Sequence, residues 1–406
     1  MTGMEKERGL SMGQVEIDPA EITRVLQELV AIPSVNPAFE GGCGEAGVAE
    51  YVKRYLTEQG IPYTEQPVQP GRSNIIGMLP GTEPGPALLL EAHMDTVQTT
   101  GMIIEPFAGT VMDGRLYGRG ACDTKGSLAA MLVAMATLKR SGLPLPVGVH
   151  LAAVVDEEYR YTGVSRLAAA ISAGELSYCG AVVGEPTGLH RVTAHKGCVR
   201  FYIDVHGKPG HSSEPDTGVN AIEQMAGVIR YLKEEIAPAY ALQKHPLTGA
   251  PTHCISEISG GAAPNTIPGS CRITVDRRTV PGEEPLEVWQ GFKEKLQELE
   301  RHTPGLQLTV QKPFIIDYAL ETSGSHPLVR QLAAAVAQFA EGRQEYGAAY
   351  GTDASKLARA GVPAVVFGPG QISLAHTEDE WVPVEELVSA ASALAGLVLH
   401  YRRDGM

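Results

Sequence analysis

Three short apolar runs in this chain each end on a carboxylate or an imidazole: ALLLEAHMD at 87–95, HLAAVVDEE at 150–158 and AVVGE at 181–185. A strand that is apolar on both faces must be covered on both, which is the condition met in parallel sheets flanked by helices. Amphipathic helical spacing falls at 20–31 and 45–59, and a largely apolar helix at 126–140 separates strands expected at 87–91, 147–155 and 181–184. This alternation predicts an α/β domain with a mostly parallel sheet.

The middle third reads differently. A strand at 200–206 precedes a helix at 221–235, strands at 253–257 and 270–275, a helix at 285–300 and a strand at 306–310. The order βαββαβ is that of a ferredoxin-like module. The α/β pattern then resumes with a helix at 327–341, a strand at 364–367 and a helix at 384–401. The expected organisation is therefore a larger domain in two parts, 17–196 and 313–406, with a smaller domain at 197–312 inserted between them. A length of 406 residues agrees with two cores.

Bulk properties exclude several functions. The net charge of −14 repels phosphate backbones, so nucleic acid is not an expected partner. No apolar stretch is long enough to span a bilayer. Residues 1–16 carry Lys6 and Arg8 without an apolar run behind them, so they read as a leader outside the fold and not as a secretory signal. The six cysteines are scattered with no Cys-x-x-Cys pair, which fits reduced thiols in a cytoplasmic protein.

The chemistry is concentrated where strands end, and in open α/β sheets sites form beyond the carboxyl ends of strands. His93 and Asp95, two apart in extended chain, share a face, so an imidazole can bind metal while a carboxylate tunes it. Asp123 lies in the glycine-punctuated loop YGRGACDTKG; it could cap the following helix, or bridge two cations. Asp156, Glu157 and Glu158 are adjacent acids that repel unless cations or donors compensate. One glutamate can ligate a metal while its neighbour serves as general base. Glu185 ends another apolar strand, and His376 follows the last one. Each alone is more often structural than catalytic. Together they offer the nitrogen and oxygen donors that a hydrolytic zinc pair prefers.

The motifs HMDTV, GRGACDTKG, DEE, GEPT, GKPGHSSEPDTGVNAI, GGAAPNTIPGSC, DRRTVPGE, GTDA and FGPG…AHTEDE occur in that order. Over 22–400 the chain thereby resembles the M20 metallopeptidases of the acetylornithine deacetylase and succinyl-diaminopimelate desuccinylase type. The resemblance implies a zinc-peptidase-like catalytic domain carrying the ferredoxin-like insertion as a lid and dimerisation domain. It implies that His93, Asp123 and Glu185 hold one zinc and that Glu158 and His376 hold a second, with Asp123 bridging. Cobalt or manganese would be possible substitutes. Asp95 would buttress His93, Glu157 would be the general base, and the Asp123–Thr124 peptide would be cis.

In the insertion, the resemblance implies that His211 reaches the active site of a partner subunit and stabilises the oxyanion. Asn265 and Arg278 would bind substrate, Arg278 through a carboxylate. Arg277 and Arg278 must point opposite ways in a strand, so one of them is expected to be structural. The implied activity is hydrolysis of the amide of an N-acyl amino acid by a homodimer. The alternatives are a dipeptidase or carboxypeptidase on the same site, and a non-catalytic metal-binding protein of the same fold. Tyr159-Arg160-Tyr161, Gln98 and Ile103 depart from what the resemblance leads one to expect. The two tyrosines could line a pocket or pack.

Overall fold

The computed structural model describes residues 15–403, so the expected leader lies outside the described residues apart from Val15 and Glu16. The chain divides into two compact units. The larger comprises Met1–Val192, Thr322–Glu345 and Thr352–Met406, and the smaller comprises Thr193–Glu321 with Tyr346–Gly351.

In the larger unit the sheet order is Tyr63–Gln69, Arg72–Leu79, Val149–Val154, Ala87–His93, Tyr178–Val183 and Ala364–Val366. The last four strands are mutually parallel, and the first two form an antiparallel edge. All seven residues of Ala87–His93 are buried, as a doubly covered strand requires. The helix Lys125–Ser141 is buried from Lys125 to Leu138 and packs against Pro19–Val30 and Val384–His400. It stops at Gly142, whose φ of 64° closes the helix in a conformation that costs other residues a Cβ clash. Pro19–Val30 begins where Asp18 accepts the Ala20 N–H at 2.9 Å, with Pro19 in the first turn, where its missing N–H is harmless.

In the smaller unit an antiparallel sheet runs Thr252–Gly260, Ser270–Thr279, Gly197–His206 and Leu308–Val310, and Ile315–Asp317 also pairs with Gly197–His206. Helices Ala221–Tyr231 and Pro285–His302 complete the βαββαβ order. The buried alternate residues Phe201, Ile203 and Val205 meet Met225, Val228, Phe292 and Leu296 in one core. The Phe201 and Phe292 rings are in edge contact at 5.5 Å.

Three features differ from the sequence expectation. The smaller unit runs from Thr193 to Glu321 instead of 197 to 312. Ile315–Asp317 pairs with Cys198–Arg200, and Leu320 and Glu321 pair with His195 and Ala194, which draws both chain ends in. The helix expected to reach 235 is α-helical only to Tyr231, then continues as a π turn over Leu232–Ile236. Pro238, which has no N–H to donate, follows this turn. The α-helix beginning at Pro327 stops at Val336, short of the expected 341.

Candidate active site

The parallel strands deliver their terminal residues to one place in the larger unit. His93, at the end of Ala87–His93, is 2% exposed. Its Nδ1 lies 3.0 Å from the Asp95 carbonyl oxygen, an acceptor, so Nδ1 carries the proton. Nε2 lies 3.1 Å from Asp123 Oδ1. Burial would lower the imidazole, yet its contacts with Asp123 and Asp95 raise it well above its ordinary range, so Nε2 donates to Asp123 here and would offer its lone pair only to a bound ion. Asp123 lies just before the buried helix and is joined to the N-cap residue Thr124 by a cis peptide, as the resemblance implies. Its backbone N–H and that of Cys122 both donate to Glu380, which also pairs with Arg119.

The second Asp123 oxygen faces a different histidine. His376 Nε2 lies 3.3 Å from Asp123 Oδ2 and 3.2 Å from Glu158 Oε1. His376 sits at φ 61° in the loop beyond Ala364–Val366, and Glu185, 5% exposed, follows Tyr178–Val183. Donor atoms of His93, Glu157 and Glu185 lie within 4.8 Å of one another, as do those of His93, Asp123 and Glu158.

Burial pushes the carboxyls of Glu157 and Glu185 well above their ordinary range, and neighbouring carboxylates add to the rise. Glu158 is pushed up to about 7, first by burial and then by Asp123. Asp123 moves the other way: burial opposes its ionisation, but contacts with His376 and His93 hold it below the usual carboxylate range. Burial would lower His376, yet its hydrogen bonds to Asp123 and Glu158 raise it to about 10. Acids packed this closely without matching donors are what a cation compensates. Two imidazoles and several carboxylates form a donor set that fits divalent zinc, cobalt or manganese.

Asp95 lies behind this cluster, fully buried. Its two oxygens accept the backbone N–H groups of Glu157 and Glu158, each at 3.1 Å, and Asn36 donates to it at 2.7 Å. Asn36, Glu380 and the buried carboxylates of Glu91 and Asp353, which face each other, were not among the sequence candidates. Glu380 and Asp353 stand in the quoted AHTEDE and GTDA motifs, where a signal existed; Asn36 offered none.

His211, Asn265 and Arg278 belong to the smaller unit. His211 is exposed; its Nδ1 accepts the Ser213 N–H at 3.2 Å and lies 2.6 Å from the Ser213 hydroxyl, which leaves Nε2 as the protonated donor. The Asn265 carbonyl accepts the Ser212 N–H at 3.0 Å, so the two loops are adjacent. Arg277 is 2% exposed, paired with Glu283 and set over the Tyr240 ring. Arg278 takes the other face, half-buried, with its Nε 2.9 Å from Asp276 Oδ1. Just after the acidic pair in sequence, Tyr159 meets Phe39 edge-on at 6.1 Å and Tyr161 packs under Lys356 Nζ.

The model of Peptidase family M20/M25/M40 matches residues 89–400. The acetylornithine deacetylase of Myxococcus xanthus is 34% identical over 365 residues, covering 88% of this chain and 89% of that protein. An aminopeptidase from Bacillus cereus superposes with a TM-score of 0.76 at 23% identity, over 94% of this chain and 98% of that one. A dinuclear metal-binding peptidase from Bacillus subtilis superposes with a TM-score of 0.70 at 18% identity, over 94% and 97%. With the family pattern spanning most of the chain and a relative this close along nearly its full length, the chain belongs to Peptidase family M20/M25/M40 and is a metal-dependent hydrolase of linear amide bonds.

Proposed function

We propose that the protein removes the acyl group from an N-acyl amino acid, using two divalent ions and Glu157 as general base. The observation that carries this reading is the Asp123 carboxylate, whose two oxygens face different histidines, His93 at 3.1 Å and His376 at 3.3 Å. His93, Asp123 and Glu185 would hold one ion, and Glu158 and His376, together with Asp123, would hold the other. The dinuclear relative from Bacillus subtilis supports two ions, and the acetylornithine deacetylase relative supports the substrate class. Such ions polarise a carbonyl and lower the pKa of water.

The chain's own residues do the rest. Asp95 fixes the His93 ring and the backbone amides of Glu157 and Glu158. Glu157 takes a proton from water and delivers it to the leaving amine, a task its raised affinity for protons suits. His211, protonated on Nε2, donates to the developing oxyanion, acting from the partner subunit of a homodimer. Arg278 and Asn265 bind the substrate; a guanidinium suits a carboxylate because it donates two parallel hydrogen bonds. Zinc is the proposed resident ion, with cobalt or manganese able to substitute. The six free cysteines support a cytoplasmic setting. Among the described residues no helix is long and apolar enough to cross a membrane.

A panel of acetyl-, succinyl- and formyl-amino acids beside dipeptides tests this reading, with free amine as the readout. Preference for an acyl amino acid is expected. Preference for dipeptides would replace it with the peptidase reading, which the aminopeptidase fold relative favours. Bound metal without any turnover would favour a non-catalytic role.

A further inference from the structure

We propose that Asn36 and Asp156 form a buried clamp that positions Glu157 and Glu158 through Asp95. The inference rests on the proposed roles of those two glutamates. Asn36 is 1% exposed. Both hydrogens of its side-chain nitrogen go to carboxylates: Asp95 Oδ2 at 2.7 Å and Asp156 Oδ1 at 2.9 Å. Its own carbonyl oxygen accepts the Ala38 N–H at 3.0 Å, which fixes the amide plane. Its backbone N–H donates to the Thr96 carbonyl at 2.9 Å, so the segment is tied beside Asp95 at both main and side chain.

Asp156 is the other jaw. It is 2% exposed and holds a φ of 66°, in the left-handed region that L residues rarely adopt. Its side chain is held from three sides, by Asn36, by the Thr162 hydroxyl at 2.6 Å and by Arg72 at 3.3 Å. Its N–H donates to buried Glu45 at 3.1 Å, and Glu45 pairs with Arg72. Three buried acids, Asp95, Asp156 and Glu45, are thus kept together by one amide and one guanidinium.

The consequence falls on the next two residues. The left-handed turn at Asp156 aims the following N–H groups at Asp95, where Glu157 meets Oδ1 and Glu158 meets Oδ2. The Asp95 carboxylate plane is in turn set by Asn36. Asn36 and Asp156 are not among the residues proposed to bind substrate or ion. They are positioning residues for a base and a ligand.

The test compares Asp156→Gly, which permits the positive φ but removes the jaw, with Asp156→Asn, which permits the turn and keeps an acceptor for Asn36. Asn36→Asp, an isostere that replaces the shared donor with a third carboxylate, is the companion. Asp156→Gly and Asn36→Asp are expected to lose about 10- to 100-fold in kcat with KM within about threefold. Chelator competition is expected to give a loss of similar size in affinity for one of the two zinc equivalents. Asp156→Asn is expected to recover most of both. Asp156→Gly with kcat and both zinc affinities within about twofold of the parent, while folded by circular dichroism, would overturn the clamp. If the parent hydrolyses nothing in the panel, the functional reading fails while the zinc competition still judges the clamp.

Discussion

The carboxylate of Asp95 accepts the backbone N–H of Glu157 at 3.1 Å, so a residue on one strand end fixes the main chain of a residue on the next. The same carboxylate lies 3.5 Å from His93 Nδ1, while that nitrogen hydrogen-bonds the Asp95 carbonyl. One side chain thereby couples the orientation of an imidazole to the orientation of the acidic pair. Asp95→Asn would turn an amide nitrogen towards at least one N–H donor. The expected outcome is a 10- to 100-fold loss in metal affinity or activity, measured by chelator competition and steady-state kinetics.

Glu157→Gln keeps the size and hydrogen-bonding capacity of the side chain but cannot take a proton. Turnover is expected to fall by about 10²- to 10⁴-fold, with two zinc equivalents retained. Near-normal kcat in this variant would remove Glu157 from its proposed role.

The pH dependence of the metal-free protein follows from His376. A histidine with a raised folded pKa contributes stability that is complete below its unfolded value of about 6.5. That contribution is lost as pH rises through about 10, the folded value. Glu158, raised to about 7, works in the same direction at lower pH, because the folded state again holds its proton longer. Lys125, lowered to about 7 by burial, opposes this trend over the same range, while His93, raised well above its ordinary value, adds to it. The thermal stability of the chelated protein should therefore fall between about pH 6.5 and 10, less steeply than His376 alone would give. Zinc loading at pH 7 should release protons, seen as a dependence of calorimetric heat on the ionisation enthalpy of the buffer.

Glu380 is fully buried and accepts from Arg119 and from the N–H groups of Cys122 and Asp123. Glu380→Ala leaves Arg119 buried without its charge partner, which costs about 3–5 kcal/mol where a buried pair is broken. Denaturant unfolding should register this loss. Zinc affinity should fall with it, because the Asp123 loop loses its anchor.

The parallel sheet was legible because burial on both faces leaves a run such as Ala87–His93 almost without polar residues, so His93 and Asp95 stand out at its end. His93, Glu157, Glu158, Glu185 and His376 were legible for the same reason, each ending or following a strand, whereas Asp123 was legible from its glycine-punctuated loop before the buried helix. What escaped was set by tertiary pairing. Asn36 sits in an ordinary SVNP stretch, and its two acidic partners are 59 and 120 residues away. The edge strand Tyr63–Gln69 buries only Gln66, with Val68 half-buried and the rest exposed, an alternation too weak to read. The strands Ile315–Asp317 and Leu320–Glu321 are too short to show a period of two, which is why the expected boundary at 312 fell short.

Asp123 is proposed to serve two ions that the hydrolysis requires. The most direct measurement is turnover of the preferred N-acyl amino acid during stepwise zinc titration of chelated protein. No release of amine is expected without metal, and full activity is expected to return at two equivalents per chain. Turnover that survives complete metal removal, or that saturates at one equivalent with no second ion bound, would contradict it.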